Sequence, residues 1–186
     1  MMKEPSSPAS HASAMRTAWT WAARLGGARF FSTRRALALR RLLMPRLLSL
    51  KRPFNPRLFG RPMSRSETGL AGEILAARWL EKNGRKILRS NFFSPARGEV
   101  DIVARHGQVL TFIEVKTLTA AGSRRPSDKV NEEKRDLIRR GARYWLQMLK
   151  RPEVPCRFDI VEVWLVPGEL PRLQVIENAF GLDNAR

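Results

Sequence analysis

Three acids and one lysine interrupt a largely apolar stretch, residues 98–116, which reads GEVDIVARHGQVLTFIEVK. They are Glu99, Asp101, Glu114 and Lys116. Carboxylates held close together repel each other unless a proton or cation lies between them, and oxygen ligands of this kind suit Mg²⁺ or Mn²⁺. A lysine beside them can contact a substrate phosphate or the attacking water. The pattern indicates either metal-dependent chemistry at a phosphate group or a polar strand face with an ion pair between Glu99 and Lys116.

A tight hairpin would bring these four residues together. The HG dipeptide separates two runs of strand-forming residues, and a turn centred on Gly107 and Gln108 makes the numbers of facing residues add up to 215. Alternate side chains on a strand share a face, so one face is predicted to carry all four charged residues. The predicted facing pairs are Asp101 with Glu114 and Glu99 with Lys116, and the opposite face carries Val100, Ile102, Ile113 and Val115.

Two predicted helices each carry a charge within an apolar stripe. The first is predicted over Glu67–Lys82, after Ser66 as a candidate cap, and Glu73 lies in its stripe. The second is predicted over residues 129–150, with Lys134 in the same kind of position. A charge on a buried face needs a partner, so these two side chains either form structural ion pairs or belong to the site.

The remaining sequence predicts a sheet with helices packed on it. Strands are expected at RKILRSNFF, in the two arms of the hairpin, and at RFDIVEVWLV and RLQVIENAF. The order is helix, three strands, helix, two strands. We therefore predict an α/β fold in which a mixed central sheet of about five strands is flanked by helices.

The basic charge is concentrated in the N-terminal third of the chain. Residues 1–65 hold 14 lysines and arginines against one acid, Glu4, so they carry +13 of the formal net charge of +18. They lack the periodicity that would build a core, and we predict that residues 1–62 are a disordered or loosely helical extension of a domain spanning residues 63–186. The extension could be a nucleic-acid-binding tail, an Arg-rich targeting segment, or sequence upstream of a true start at Met63.

Composition restricts the class of protein. One cysteine, Cys156, excludes an internal disulfide and a zinc site built on cysteines, and it favours a reducing compartment, here the cytoplasm. No apolar run approaches the roughly 20 residues of a membrane span, so no membrane association is expected.

Six segments, in order, resemble a known family. They are TGLAGEILAARWL, GEVDIVAR, FIEVKT, the lysine of NEEKRDLIRRGARYWL, RFDIV and VIENAF. Together they resemble the bacterial YraN-like family, which is similar to the archaeal Holliday-junction resolvases of the restriction-endonuclease-like superfamily. The resemblance covers about residues 66–180. It implies a restriction-endonuclease-like core with a metal-dependent phosphodiesterase centre of the Asp…Glu-x-Lys kind.

The resemblance also implies roles for particular residues. Implied catalytic residues are Asp101, Glu114, Lys116 and Glu73, and implied ligands of Mg²⁺ or Mn²⁺ are Asp101, Glu114 and the carbonyl of Val115. Other characteristic positions are Glu99, Lys134, Arg157 and Asp159; Lys134 could meet a phosphate, and Arg157 could pair with Asp159 or with DNA. Many family members have a basic residue after the EVKT strand, where this chain has LTAAGSRRPSD, so Arg124 and Arg125 could substitute for it. Further candidates for nucleic-acid backbone contacts are Arg139 and Arg140.

The leading hypothesis is a metal-dependent endonuclease acting on DNA, with branched DNA as one candidate substrate. The analogy with two-fold resolvases allows a homodimer. The alternative is a non-catalytic nucleic-acid-binding module with the nuclease fold, and a third hypothesis is a structural protein whose acids merely pair with lysines. The intact Asp101, Glu114 and Lys116 favour the nuclease, because a module without catalysis has no chemical need for all three.

Overall fold

The structure is a computed structural model, and it describes residues 49–58, 61–119, 131–150 and 153–182. Two short strands come first, β1 (Arg57–Leu58) and β2 (Arg61–Pro62). They are followed by α1 (Arg65–Lys82), β3 (Arg85–Phe93), β4 (Glu99–His106), β5 (Val109–Leu118), α2 (Glu132–Leu149), β6 (Cys156–Trp164) and β7 (Arg172–Phe180). No helix within the described ranges is long and apolar enough to cross a membrane. Two predicted site residues, Arg124 and Arg125, and residues 1–48 of the predicted extension lie outside those ranges.

The five longer strands form one mixed sheet in the order β3, β4, β5, β6, β7. Strands β5 and β6 are parallel, and every other neighbouring pair is antiparallel. The hairpin of β4 and β5 pairs His106 with Val109, which is the predicted register. Gly107 has φ +59, the left-handed conformation that this tight turn requires and that glycine adopts without strain. The predicted α/β fold is confirmed, and the arrangement is compatible with a restriction-endonuclease-like core.

The two helices cover opposite faces of this sheet. Leu75 of α1 packs in one core cluster with Ile113 of β5, and Trp145 of α2 packs in a second cluster with Phe112. Consecutive residues of a strand point to opposite sides, so these clusters are two layers separated by the sheet. Where two strands separate, side chains from both helices can therefore reach the gap.

Both helices begin elsewhere than the sequence analysis predicts. Ser64, rather than Ser66, is the N-cap of α1: its Oγ accepts the Glu67 N–H at 3.2 Å, and Glu67 Oε2 accepts the Ser64 N–H at 2.8 Å. Hydrogen bonds from Arg61 and from the Ser64 backbone lower the pKa of Glu67 to about 2. Helix α2 starts at Glu132 rather than at residue 129, because the Asn131 side chain caps it. A reciprocal cap on α1 and a single Asn131 cap on α2 thus mark where the helices start.

Two glycines allow the helices to approach the sheet closely. A Cβ at Gly72 of α1 would lie 1.9 Å from Thr117 Oγ1 in β5. A Cβ at Gly98, just before β4, would lie 2.1 Å from the backbone nitrogen of Gly141 in α2. A larger residue at Gly98 would meet the backbone of α2 and move that helix, and one at Gly72 would meet the Thr117 side chain, which would have to shift. The residues that directly follow these glycines are the acids Glu73 and Glu99.

Part of the predicted extension packs on the domain. Phe54 is only 2% exposed and belongs to the core layer under α1. Its N–H donates to the Glu169 carbonyl at 2.7 Å, and its carbonyl accepts the Gly168 N–H at 2.9 Å, which ties it to the turn between β6 and β7. We call residues 49–58 the strap. The strap belongs to the segment predicted to be a disordered or loosely helical extension, and its packing was not predicted because one aromatic anchor leaves no periodic pattern to detect.

Candidate active site

The ladder between β4 and β5 extends from the turn as far as the pair Ile102 and Ile113. Beyond that pair, the Val115 N–H donates to Asp101 Oδ2 at 2.8 Å. The donor is thus satisfied by a side-chain oxygen of β4 instead of a backbone carbonyl. Val100 packs in the layer under α2 and Ile102 in the layer under α1, which shows that the alternation of faces breaks at Asp101. The predicted placement of Val100 on the same face as Ile102 is therefore wrong. Asp101 is held in an opening at the end of the hairpin.

Glu114 faces this opening from β5. The residue is 3% exposed, and its Oε1 accepts a hydrogen bond from Lys116 Nζ at 2.7 Å. Its Oε2 is also buried but accepts no hydrogen bond from any described residue. A buried carboxylate oxygen without a donor costs free energy, and a nearby cation would relieve that cost.

Lys134 reaches the opening from α2. Its Nζ lies 3.2 Å from Glu99 Oε1 and 3.4 Å from Glu114 Oε2. Burial lowers the pKa of Lys134, but the carboxylates of Glu114, Asp101 and Glu99 outweigh burial and leave the pKa above its usual value. Glu99 thus pairs with Lys134, and Lys116 pairs with Glu114, instead of the alternative Glu99–Lys116 pair.

Glu73 approaches the opening from α1. Its Oε2 accepts a hydrogen bond from Asn91 Nδ2 at 2.9 Å, and Asn91 has φ +51, a conformation that asparagine tolerates better than most residues. Burial raises the pKa of Asp101 well above its ordinary value, and the charges of Glu114 and Glu73 raise it further. Glu73 of α1 and Lys134 of α2 therefore both act on the carboxylate of Asp101. Their positions within the apolar stripes of the two helices predict this inward placement.

The oxygen atoms at this opening fit a divalent cation. Glu114 Oε2 has no hydrogen bond, and the pKa of Asp101 is raised by burial and then by the charges of Glu114 and Glu73, which a cation would offset. Mg²⁺ and Mn²⁺ take such carboxylate oxygens together with several waters. Across the described ranges, no three His, Cys, Asp or Glu side chains form a ready-made metal-binding group, so the protein would supply two carboxylates and leave positions for water and substrate. We call the following residues the hairpin site: Glu73, Glu99, Asp101, Glu114, Lys116 and Lys134.

Arg157 and Asp159 lie away from the hairpin site. Arg157 is the neighbour of Thr111 in the β5–β6 register, toward the closed end of the hairpin. Its Nε donates to Asp159 Oδ1 at 3.0 Å, and the buried Asp159 also accepts from Arg85 Nη1 at 2.6 Å. Glu177 of β7 accepts from Arg157 at 2.7 Å and from Arg85 at 2.8 Å. The two predicted residues thus belong to an ion network that joins β3, β6 and β7.

Arg139 and Arg140 have different surroundings. Arg139 is 4% exposed, and its guanidinium donates to the Gly181 carbonyl at 3.0 Å and to the carboxylates of Glu132 and Asp136. This side chain is occupied within the domain, contrary to the predicted phosphate contact. Arg140 is exposed and remains available for a nucleic-acid backbone.

Two polar residues near the site escape the sequence analysis. Asn91 holds Glu73 through its side-chain amide. Glu162 of β6 is the lateral neighbour of Lys116 in the parallel ladder and is buried. For Glu162 the available signal was an acid inside the apolar run DIVEVWLV, whereas Asn91 lies in the mixed run RKILRSNFF, where no pattern marks it.

Comparison with known proteins places the chain in a family. Residues 72–163 match the family described as Uncharacterised protein family UPF0102. A UPF0102 protein of Dehalococcoides mccartyi is 40% identical over 118 residues, which cover 63% of this chain and 96% of that protein. The chain belongs to this family. A UPF0102 protein of Caldicellulosiruptor saccharolyticus is 38% identical over 119 residues, which cover 63% of this chain and 100% of the relative. The resemblance to the YraN-like family is thereby confirmed.

The region matched by the UPF0102 family contains the whole hairpin site. Its six residues fall within 72–163, as do Arg157 and Asp159, whereas the strap precedes the match. The residues that build the opening therefore lie in the part of the chain that matches the UPF0102 family.

Proposed function

We propose that this protein is a metal-dependent endonuclease that hydrolyses phosphodiester bonds in DNA. The observation that carries the proposal is the opening of the hairpin, where Asp101 accepts the Val115 N–H and the buried Glu114 accepts a hydrogen bond from Lys116. Glu114 Oε2 is buried without a hydrogen bond, as expected of an atom that binds a ligand. Mg²⁺ or Mn²⁺, when bound, would stabilise the negative charge that develops on the phosphorus oxygens.

The residues of the hairpin site have separate tasks. Asp101 and Glu114 supply carboxylate oxygens, and family resemblance makes the Val115 carbonyl a third candidate ligand. Lys116 is held by Glu114 at 2.7 Å, where its ammonium can donate to a phosphate oxygen or orient the attacking water. The water oxygen bonds to phosphorus as the bond to O3′ breaks, which leaves a 5′-phosphate and a 3′-hydroxyl. Lys134 remains protonated among the acids and can meet a neighbouring phosphate.

The proposed substrate is DNA, with branched DNA a candidate by resemblance to the resolvases. Residues 66–186 hold 21 basic and 16 acidic residues, an excess that suits binding dominated by the phosphate backbone. The exposed Arg140, with Arg124 and Arg125, would contribute to it. We also propose that the protein is cytoplasmic and that it acts as a homodimer.

The test is cleavage of labelled branched, single-stranded and duplex DNA by the full chain with Mg²⁺, Mn²⁺ or EDTA. Asp101→Asn and Lys116→Ala should each reduce cleavage by about 100-fold or more. Matched controls are Glu169→Gln and Lys82→Ala, an acid and a lysine on the surface outside the hairpin site, and these should cleave like the wild type. Cleavage that survives in both site variants would point to a contaminating nuclease and refute the proposal.

A non-catalytic nucleic-acid-binding module is the second candidate. It is favoured by the two lysines that already balance Glu114, and by the lack of a three-acid group across the described residues. Calorimetry of Mn²⁺ binding distinguishes the nuclease from the binding module. The nuclease should take up Mn²⁺ in the wild type and lose that uptake in Asp101→Asn, whereas the module should bind DNA with no Mn²⁺ uptake and no cleavage of any substrate.

A further inference from the structure

One aromatic side chain is exposed beside the hairpin site. Phe93 ends β3 and is 53% exposed, and the other large apolar side chain exposed in the described residues is Leu170, at 52%. In the β3–β4 register Phe93 is the partner of Glu99, whose carboxylate lies 3.2 Å from Lys134 Nζ. Neighbouring strands lie about 4.8 Å apart, so Phe93 lies next to Glu99, one residue of the hairpin site.

The turn that follows Phe93 is rigid. We call residues 93–98 the Phe93 turn. Ser94 and Gly98 exchange two hydrogen bonds, the Ser94 N–H to the Gly98 carbonyl and the Gly98 N–H to Ser94 Oγ, both at 2.8 Å. Arg97 donates its N–H to the Ser94 carbonyl at 3.1 Å, and Gly98 lies against Gly141 of α2. The exposed Phe93 is therefore presented by a fixed backbone and loses little freedom on binding a ligand.

The surroundings of Phe93 define what kind of ligand suits it. Arg97 is exposed on the same turn, and Lys134 pairs with Glu99, the strand partner of Phe93. An exposed aromatic ring with basic residues near it suits a flat ring attached to a phosphate chain, which is a nucleotide. Within a duplex the faces of the bases are covered by stacking, so a ring of this kind can stack only on an unpaired base.

We propose that Phe93 stacks on an unpaired base next to the phosphate held at the hairpin site, with Arg97 on the adjoining backbone. This inference rests on the proposed function and deepens it, because it names single-stranded or branch-point DNA as the substrate class. Duplex DNA without unpaired bases would be bound through its phosphates alone, with no base stacked on Phe93.

The test measures binding in EDTA, so that it does not depend on cleavage. Fluorescence anisotropy of the full chain would be followed with labelled single-stranded, branched and duplex DNA of equal length. Phe93→Ala should weaken binding of the first two by about tenfold and leave duplex binding within about twofold. Phe93→Tyr keeps the ring and should restore the preference. An oligonucleotide with 2-aminopurine at the unpaired position should show fluorescence quenching on binding that Phe93→Ala removes.

Leu170→Ala is the matched control, since it truncates an equally exposed apolar side chain in the turn between β6 and β7. It should change none of these affinities, and thermal unfolding should confirm that every variant is folded. Equal weakening on all three DNAs, or no change in Phe93→Ala, would overturn the inference, as would a wild type that binds none of them. Selective weakening in a protein that cleaves nothing would keep the inference and refute the nuclease.

Discussion

Asp101 has two roles that one substitution can separate. Its carboxylate accepts the Val115 N–H, and it also carries a charge that burial and the charges of Glu114 and Glu73 oppose. An asparagine keeps an oxygen for the Val115 N–H and removes the charge. The structural role should therefore survive in Asp101→Asn, while the metal-binding role should not.

Asp101→Asn should be more stable than the wild type in EDTA at neutral and alkaline pH. The folded pKa is raised, so the folded protein keeps a proton that the unfolded chain releases, and wild-type stability falls as pH rises from 3.8 through the folded pKa. The variant does not lose stability in this way. Its free energy of unfolding should exceed that of the wild type by about 1 kcal/mol or more at about pH 8 and should equal it at about pH 3. Urea unfolding across that range measures the difference, with Glu169→Gln as the control. A variant less stable at every pH would show that the carboxylate is needed for folding.

Lys134 is the cation that the protein itself places among the acids of the hairpin site. Lys134→Gln should lower the unfolding temperature in EDTA, because it leaves Glu114 buried next to Glu99 and Asp101 without that charge. Mn²⁺ should then raise the unfolding temperature of the variant by more than that of the wild type, since the metal replaces the missing charge. Thermal unfolding with and without Mn²⁺ measures this, and Lys82→Gln is the exposed control. Equal Mn²⁺ effects in both proteins would place any bound metal away from Glu114.

The hairpin shows which features of an element can be read from sequence. The register followed from the HG turn, because a tight turn fixes every pair as far as the ladder extends. The opening did not follow, because it depends on one side chain taking a backbone hydrogen bond and on Asn91 adopting a positive φ in the neighbouring strand. Neither event changes the apolar pattern. The cap at Ser64 could have been found, since Ser64 and Glu67 have the spacing of a capping box.

Helix α1 positions Glu73 through its contact with β5. Gly72→Ala should destabilise the protein by about 1–3 kcal/mol, because the new methyl group would meet Thr117 Oγ1. In Gly69→Ala, in the same helix, the new methyl group would have nothing within 4 Å, so this change should instead stabilise by about 0.5–1 kcal/mol through helix propensity. Urea unfolding compares the two. Thr117→Ala should rescue part of the loss in Gly72→Ala, and two glycine variants of equal stability would rule out this contact.

At the scale of the whole molecule, the described residues place charged side chains at two positions in the same sheet, the hairpin site and the network around Asp159. The sequence predicts that Arg157 pairs with Asp159 or with DNA, and the structure shows the pair with Asp159. The two positions are separate because the parallel β5–β6 register puts Arg157 beside Thr111, while Glu114 lies beside Ile160. That pairing joins segments more than 40 residues apart, and no local pattern specifies it. The pairing of Arg85 with Asp159 could not be predicted for the same reason, since the two residues lie on different strands, 74 residues apart in sequence.

The strap makes the stability of the domain depend on residues before Met63. Phe54→Ala should destabilise the full chain by about 3–5 kcal/mol, because it removes a buried aromatic from the layer under α1. A chain that begins at Met63 lacks the same anchor, along with the hydrogen bonds from Phe54 to Glu169 and Gly168, and should lose at least as much. Urea unfolding of the full chain, the Phe54→Ala variant and the shortened chain measures both effects. A shortened chain as stable as the full one would mean that the strap adds nothing to the domain, and that the fold begins where α1 is capped.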